Sequence, residues 1–340
     1  MDLPLSSCTS LRYNFPAGSL AAVVPAPLLS LKNRKKSPLT RVTHYKNPLN
    51  PVLNASYKSR VGAKESVLEM SLSVAIITHN EEANLARTLF SVSFADEIIV
   101  VDSGSTDRTV EIAQSFRAKV FHLAWRGFSS QKNYALSQCT CDWILSLDAD
   151  EELTPELQTQ IRTLLPTNPP VDAWFIRRRN HFLGRWIRHG GFYPDAKLRL
   201  FRRSTADFTP LFEERPVHET IHFEGHPGTL DFDIIHHAYP TLSIYIAHMD
   251  RYSTLGSQIL VAQKRTSRSL PAFLTNVLLA PGFNFLWNYF FRLGFLDGRE
   301  GLLLHLYHAA YSSWKYAKAW EATRSMRNSA PATVPDSIAR

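Results

Sequence analysis

The chain has 340 residues, 44% of them apolar and 20% charged, which is long for one compact domain, short for three, and enough to bury a core. Three cysteines (Cys8, Cys139, Cys141) are too few for a disulfide scaffold and lack the second pair of a zinc site, which indicates a reducing, cytosol-facing environment. The net charge of +8 sits almost wholly in residues 1–70, with ten basic and three acidic groups; the other 270 residues carry 28 and 27, so nucleic acid is not an expected partner.

Residues 1–70 are rich in Pro, Ser, Asn and Lys without sustained periodicity, and read as a disordered basic extension. The apolar stretch 19–30 is broken by Pro25 and Pro27, which argues against a secretory signal. Scarce acids would suit a transit peptide; the simpler expectation is a native start at Met70, two residues before a strong strand. From residue 72 the spacing predicts strands at 72–78, 97–102, 119–123 and 143–148, alternating with helices at 81–92, 107–116 and 129–138. Strand–helix alternation implies an α/β fold with a mostly parallel sheet covered by helices on both faces. Ligands of such sheets bind beyond the carboxyl ends of the strands.

Three predicted strands end in polar clusters: Thr78-His79-Asn80-Glu81-Glu82, Asp102-Ser103-Gly104-Ser105-Thr106-Asp107 and Asp148-Ala149-Asp150-Glu151-Glu152. Each has a plain alternative as a helix cap, with Glu81, Glu82 and Glu111 complementing helix dipoles. Together they place Asp102, Asp148 and Asp150 on one rim, where like charges repel unless a cation is present. An Asp-x-Asp pair offers hard oxygen ligands to Mg2+ or Mn2+ bridging a diphosphate. There is no Gly-x-Gly-x-x-Gly after the first strand and no Gly-Lys-Ser/Thr loop, which removes dinucleotide and P-loop readings.

These residues resemble family 2 glycosyltransferases of the GT-A fold, through Thr78-x-Asn80-Glu81, Asp102-Ser-Gly-Ser-Thr-Asp107 and Leu-Asp148-Ala-Asp150-Glu. The blocks Asn180-x-Phe-Leu-Gly-Arg-Trp186, Gly190-Gly-Phe-Tyr-Pro-Asp195, Lys197-Leu-Arg-Leu-Phe-Arg-Arg203, Val217-His-Glu219 and Gly294-Phe-Leu-Asp-Gly298 are similar to its lipopolysaccharide core β-1,4-glucosyltransferase branch. The resemblance implies a GT-A domain over 71–238, a helical membrane-associating or lid region over 239–325 and a flexible tail over 326–340. It implies donor-nucleotide contacts from Thr78, His79, Glu81, Asp102, Lys132 and Asp148, with Asp102 facing the uracil, and a metal on Asp150 and Asp148. The activity implied is metal-dependent, inverting transfer of a sugar, glucose from UDP-glucose foremost, to a lipid-linked lipopolysaccharide-core or related envelope glycan.

Such a transfer needs a carboxylate to take the acceptor proton, for which Glu219 is the first candidate and Asp195 the second. The other reading of His218-Glu219 is a surface ion pair. Within the basic run 177–203, Lys197 and Arg199 are expected to grip donor diphosphate or an anionic acceptor. Trp186 and Tyr193 suit either a sugar face or a core. Residues 269–291 carry no charge but include Pro271, Pro281, Gly282 and three asparagines, so broken interfacial helices on the cytoplasmic leaflet are expected, with a packed aromatic lid as the alternative. A polyprenyl-phosphate transferase, a nucleotidyltransferase and a non-catalytic membrane scaffold are the rival functions.

Overall fold

A computed structural model of the chain describes residues 70–203, 211–213, 220–221 and 227–329. Three strands lie where expected: β1 (Leu72–Thr78), β2 (Glu97–Asp102) and β4 (Trp143–Asp148), with β3 (Lys119–His122) one residue shorter. Their side chains serve both faces. Val74, Ile76, Val100, Leu145 and Leu147 enter one core, while Ala75, Ile99, Val101 and Ile144 enter the other. Helices α1 (Leu85–Ser91) and α2 (Thr109–Ser115) contribute to the first core, and α3 (Phe128–Ser137) to the second.

Both α1 and α2 start later than the spacing predicts, because the polar residues ahead of them fasten two loops together. Asn80, in the left-handed region at φ 54°, accepts from Thr106 N through Oδ1 at 2.8 Å and donates its own N–H to Ser105 Oγ at 2.8 Å. Asp107 accepts from Glu82 N at 3.1 Å and Thr109 N at 3.0 Å, and Glu82 accepts from Arg108 N at 3.1 Å.

Beyond β4 the chain runs through β5 (Glu151–Leu153), α4 (Pro155–Leu164), β6 (Ala173–Phe182), β7 (Arg185–Trp186) and β8 (Asp195–Arg202). The short strands β9 (Phe212–Glu213) and β10 (Thr220–Ile221) pair with each other, and β11 (Gly228–Tyr239) closes the sheet. The large sheet runs β3-β2-β1-β4-β8-β6-β11-β5, with β7 beside β6. β1–β4 are mutually parallel; β8 is antiparallel to β4 and β6, β11 is parallel to β6, and β5 is antiparallel to β11. This α/β sheet is the expected fold class, parallel on one side of β4 and mixed on the other.

The C-terminal part is helical: α5 (Leu242–Ala262), α6 (Leu270–Leu274), α7 (Ala280–Leu286) and α8 (Gly298–Ser329). Two π turns, Thr275–Leu279 and Trp287–Phe291, join and extend α6 and α7, and a 3-10 turn, Gly294–Asp297, precedes α8. Pro281 has no N–H for the carbonyl of Val277 four residues back; Ser313 Oγ of α8 donates to that carbonyl at 2.7 Å. The loop after β7 is clamped against the 3-10 turn. His189 N and Nδ1 bond the two oxygens of Asp297 at 2.8 and 2.9 Å, and Gly190 N donates to Arg292 O at 2.8 Å. Gly190 and Gly191 have φ of 65° and 88°, and a Cβ on either would overlap the His305 ring or the Arg292 guanidinium.

Candidate active site

The carboxyl ends of β1 and β4 open into a cleft of about 360 Å3 lined by Ile77, Thr78, His79, Glu81, Ser103, Trp125, Phe128, Asp148 and Ala149. Four of the six residues expected around the nucleotide, Thr78, His79, Glu81 and Asp148, thus share one wall. Register explains the grouping, since Thr78 pairs with Asp102 and Ile77 with Asp148 across the parallel strands. The lining also includes Trp125, in the β3–α3 connection, and Phe128, the first residue of α3, edge to face at a centroid distance of 4.7 Å; neither is among the residues expected. An aromatic residue on each side of Arg126-Gly127 was the available signal.

Asp102 is not on the cleft surface. It is 1% exposed, and its carboxylate accepts from Gly104 N at 2.9 Å, Ser105 N at 3.0 Å and the Ser105 hydroxyl, holding the loop after β2.

Asp148 is buried between two cations, with Oδ1 2.9 Å from Lys132 Nζ and Oδ2 2.6 Å from Arg199 Nη2. Burial alone would raise the Asp148 carboxyl, but Arg199 and Lys132 outweigh it and hold it well below the usual carboxylate range. Lys132 is therefore not a solvated helix residue; it is 3% exposed on the inner face of α3. Arg199 also bonds Glu151 Oε1 at 2.6 Å, and Glu151 Oε2 accepts from Asp148 N at 3.1 Å. Arg178, fully buried on β6, joins Glu151 at 2.9 Å to Asp195, which in turn lies 2.8 Å from Lys197 Nζ. Acids and bases thus alternate in one buried chain behind the cleft: Lys132, Asp148, Arg199, Glu151, Arg178, Asp195 and Lys197.

That chain decides between readings left open by the sequence. Arg199 is 3% exposed and engaged by two carboxylates, so it organises the cleft from behind rather than presenting a guanidinium to solvent. Asp195 is raised by burial but lowered further by Arg178 and Lys197, ending below the usual range. A carboxylate so stabilised in its charged form is a weak proton acceptor. Lys197 is pushed down to about 8 by burial and the nearby Arg178, despite its carboxylate partner. Glu219 lies outside the described residues. Arg179 and Arg188 place their guanidinium carbons 4.8 and 4.7 Å from the Trp186 ring centroid, and Tyr193 meets that ring edge-on at 5.3 Å. Packing, the plainer reading of Trp186, accounts for its position.

The two aspartates of Asp148-Ala149-Asp150 bond to different partners. Asp150 Oδ2 lies 3.2 Å from His236 Nε2, both residues being 1% exposed. The other ring nitrogen, Nδ1, is 2.7 Å from Asn180 Oδ1. Asn180 Nδ2 donates to Phe192 O and Asp195 Oδ2, both at 3.3 Å, which fixes Oδ1 toward the histidine and so puts a proton on Nδ1. Nε2 then faces the carboxylate oxygen of Asp150, and the two atoms stand close enough to bind one cation side by side. The Asp150 oxygen is better placed to meet Mn2+ or Mg2+ than Asp148, whose two oxygens already face cations. Among the described residues no three His, Cys, Asp or Glu side chains converge, so diphosphate and water oxygens would complete the shell. His236 was missed because an imidazole in the apolar run Ile234-Ile235-His236-His237-Ala238 has no spacing to a second ligand.

A family model described as glycosyl transferase family 2 matches residues 73–224. The lipopolysaccharide core biosynthesis glycosyltransferase LpsC of Rhizobium meliloti (strain 1021) is 30% identical over 259 residues, covering 74% of this chain and 93% of that protein. An uncharacterized glycosyltransferase of Rickettsia bellii (strain RML369-C) is 52% identical over 96 residues, 28% of this chain and 33% of that one. Among solved structures, S. aureus TarS 1–349 in complex with UDP-GlcNAc aligns over 76% of this chain and 92% of that chain, at 17% identity and a TM-score of 0.40. With the LpsC match running almost the full length of that relative and the family model covering the strand-end motifs, this chain is a glycosyltransferase and belongs to glycosyl transferase family 2.

Proposed function

We propose that the protein transfers a hexose, glucose foremost, with inversion from a uridine diphosphate donor to a lipid-linked lipopolysaccharide-core or related envelope glycan, working peripherally at the cytoplasmic face of the membrane. The observation that carries the donor half is the cleft beyond β1 and β4, lined by Thr78, His79, Glu81 and Asp148, with Asp150, paired to His236, directly after the lining residue Ala149 in the chain. The acceptor class rests on the relation to LpsC. Asp150 and His236 would hold Mg2+ or Mn2+, which when bound supplies Lewis-acid stabilisation to the departing diphosphate.

The remaining work belongs to side chains. Lys132 and Arg199 keep Asp148 ionised and oriented at the cleft edge, where it meets the donor ribose. Lys197, at the far end of the buried chain, adds positive charge on the acceptor or diphosphate side. The acceptor hydroxyl loses its proton as it attacks the anomeric carbon, and Glu219 is the carboxylate assigned to receive it, since Asp195 is tied to Arg178 and Lys197.

Donor binding and turnover measured on the full chain with and without Mn2+ test this reading. Asp150→Ala and His236→Ala should each abolish the metal-dependent part of donor binding. Glu219→Gln should bind donor like the wild type and lose transfer by roughly 100-fold or more. Undiminished turnover in Glu219→Gln moves the base to Asp195. No hydrolysis or transfer with uridine-, guanosine- or adenosine-linked sugars overturns the donor reading and favours the scaffold; transfer to a polyprenyl phosphate reassigns the acceptor.

A further inference from the structure

The segment Leu270–Phe291 is long and apolar enough to cross a bilayer by length and composition. Its polarity is the reverse of a helix covering a protein core. Exposed pairs of positions recur every four residues, from Leu270 and Pro271 to Phe290 and Phe291, and Thr275 is the only polar side chain among them. Leu278, Phe283 and Phe291 are 63%, 63% and 72% exposed. The asparagines turn the other way: Asn288 is buried, and Asn276 donates to Ser267 Oγ at 2.9 Å. That inner side rests on α8, through the Ser313–Val277 hydrogen bond and the Phe273 and Trp320 rings 5.2 Å apart.

A four-residue repeat does not fit an α-helix. At 3.6 residues per turn it rotates by about 40° each repeat and by about 200° over five. A π turn inserts one extra residue, about 100°, so the two at Thr275–Leu279 and Trp287–Phe291 cancel the drift. The stripe therefore stays on one side for its whole length of about 33 Å. The 3-10 turn and α8 that follow it also expose apolar side chains, Phe295, Leu296, Leu302 and Leu306 each being at least 40% exposed. Exposed cations bracket it, Lys264, Arg265 and Arg268 before and Arg292 and Arg299 after; the one acid between Lys264 and Arg299 is Asp297, buried against His189.

We infer that this stripe seats the protein in the plane of an anionic bilayer interface, its Trp and Phe side chains at the level of the headgroups and its flanking cations on lipid phosphates. The inference deepens the membrane-side reading above by assigning the surface and its partner. A spanning orientation would carry the supporting face of α8, with Lys315 and Lys318, into hydrocarbon. A second copy packed antiparallel would set cations against cations with no exposed acid to receive them.

Flotation of the full chain with vesicles of phosphatidylcholine, with and without phosphatidylglycerol, tests this without donor, metal or acceptor, so it stands apart from any failure of sugar transfer. The protein should float with the anionic vesicles, more weakly with neutral ones, and be released by carbonate. The triple variant Leu278→Glu, Phe283→Glu, Phe290→Glu should partition roughly 100-fold less while binding UDP like the wild type. In the wild type, lipid-borne bromine should quench a component of fluorescence that Trp287→Phe lacks, a readout that survives poor folding of the triple variant. Wild-type protein that stays with neither vesicle, resists carbonate, or forms a dimer that the triple variant abolishes overturns the assignment.

Discussion

Arg178 shows what a single residue holds together here. It is fully buried and bonded to both Glu151 and Asp195, so its guanidinium bridges the two carboxylates in the middle of the ionic chain. Arg178→Met removes the shared cation and leaves two buried carboxylates facing each other, so stability should fall by about 3–5 kcal/mol in urea unfolding. Glu97, far from the cleft, illustrates the same physics in reverse. Burial raises its carboxyl, but hydrogen bonds from Lys119, Ser73 and Thr140 carry it down to about 2. The stability it contributes is present above its ordinary value of 4.5 and is lost as pH falls toward 2. Little of this was readable from sequence. Arg177-Arg178-Arg179 gives no sign that the middle residue alone is buried while its neighbours both reach Asp233.

Elements were legible where burial is two-sided. The β-branched runs of β1, β2 and β4 declare themselves because both faces of a central parallel strand are apolar. The antiparallel half was not legible, since β6 runs from Ala173-Trp-Phe-Ile176 into three arginines and β8 alternates apolar residues with Lys197, Arg199 and Arg202, and the buried ionic chain, Asp233 and Asp172 absorb these charges. By composition, Pro271 and Pro281 break the segment after α5 into separate interfacial helices. The structure keeps it helical, because Pro271 sits in the first turn of α6 and the carbonyl freed by Pro281 finds Ser313. Ser313→Ala should cost about 1 kcal/mol and speed hydrogen exchange around residues 280–283, read by mass spectrometry. The apolar side of this segment faces outward, where a packed lid would turn it inward.

At the scale of the molecule, the described body joins an ionic α/β layer to a helical layer whose polar interior is imidazole. Burial pushes His305 down to about 4 and His308 down to about 3, from an ordinary value of 6.5. Between those limits the unfolded chain binds protons that the folded chain refuses, so stability rises with pH through this window and levels off above it. The melting temperature should therefore be lower at about pH 5 than at about pH 7.5, with exchange in α8 rising first. His305→Asn should flatten that dependence.

The crossing at Gly190 and Gly191 has a mechanical consequence. With His305 and Arg292 filling the space where side chains would stand, the connection between the outer helices and β8 has no slack. Any tilt of these outer helices would be passed along Phe192 and Tyr193 instead of being absorbed. If the stripe rides in a leaflet as inferred above, its depth would bear on where Asp195 and Arg178 stand, and leaflet thickness would become a way of tuning the chemistry from outside.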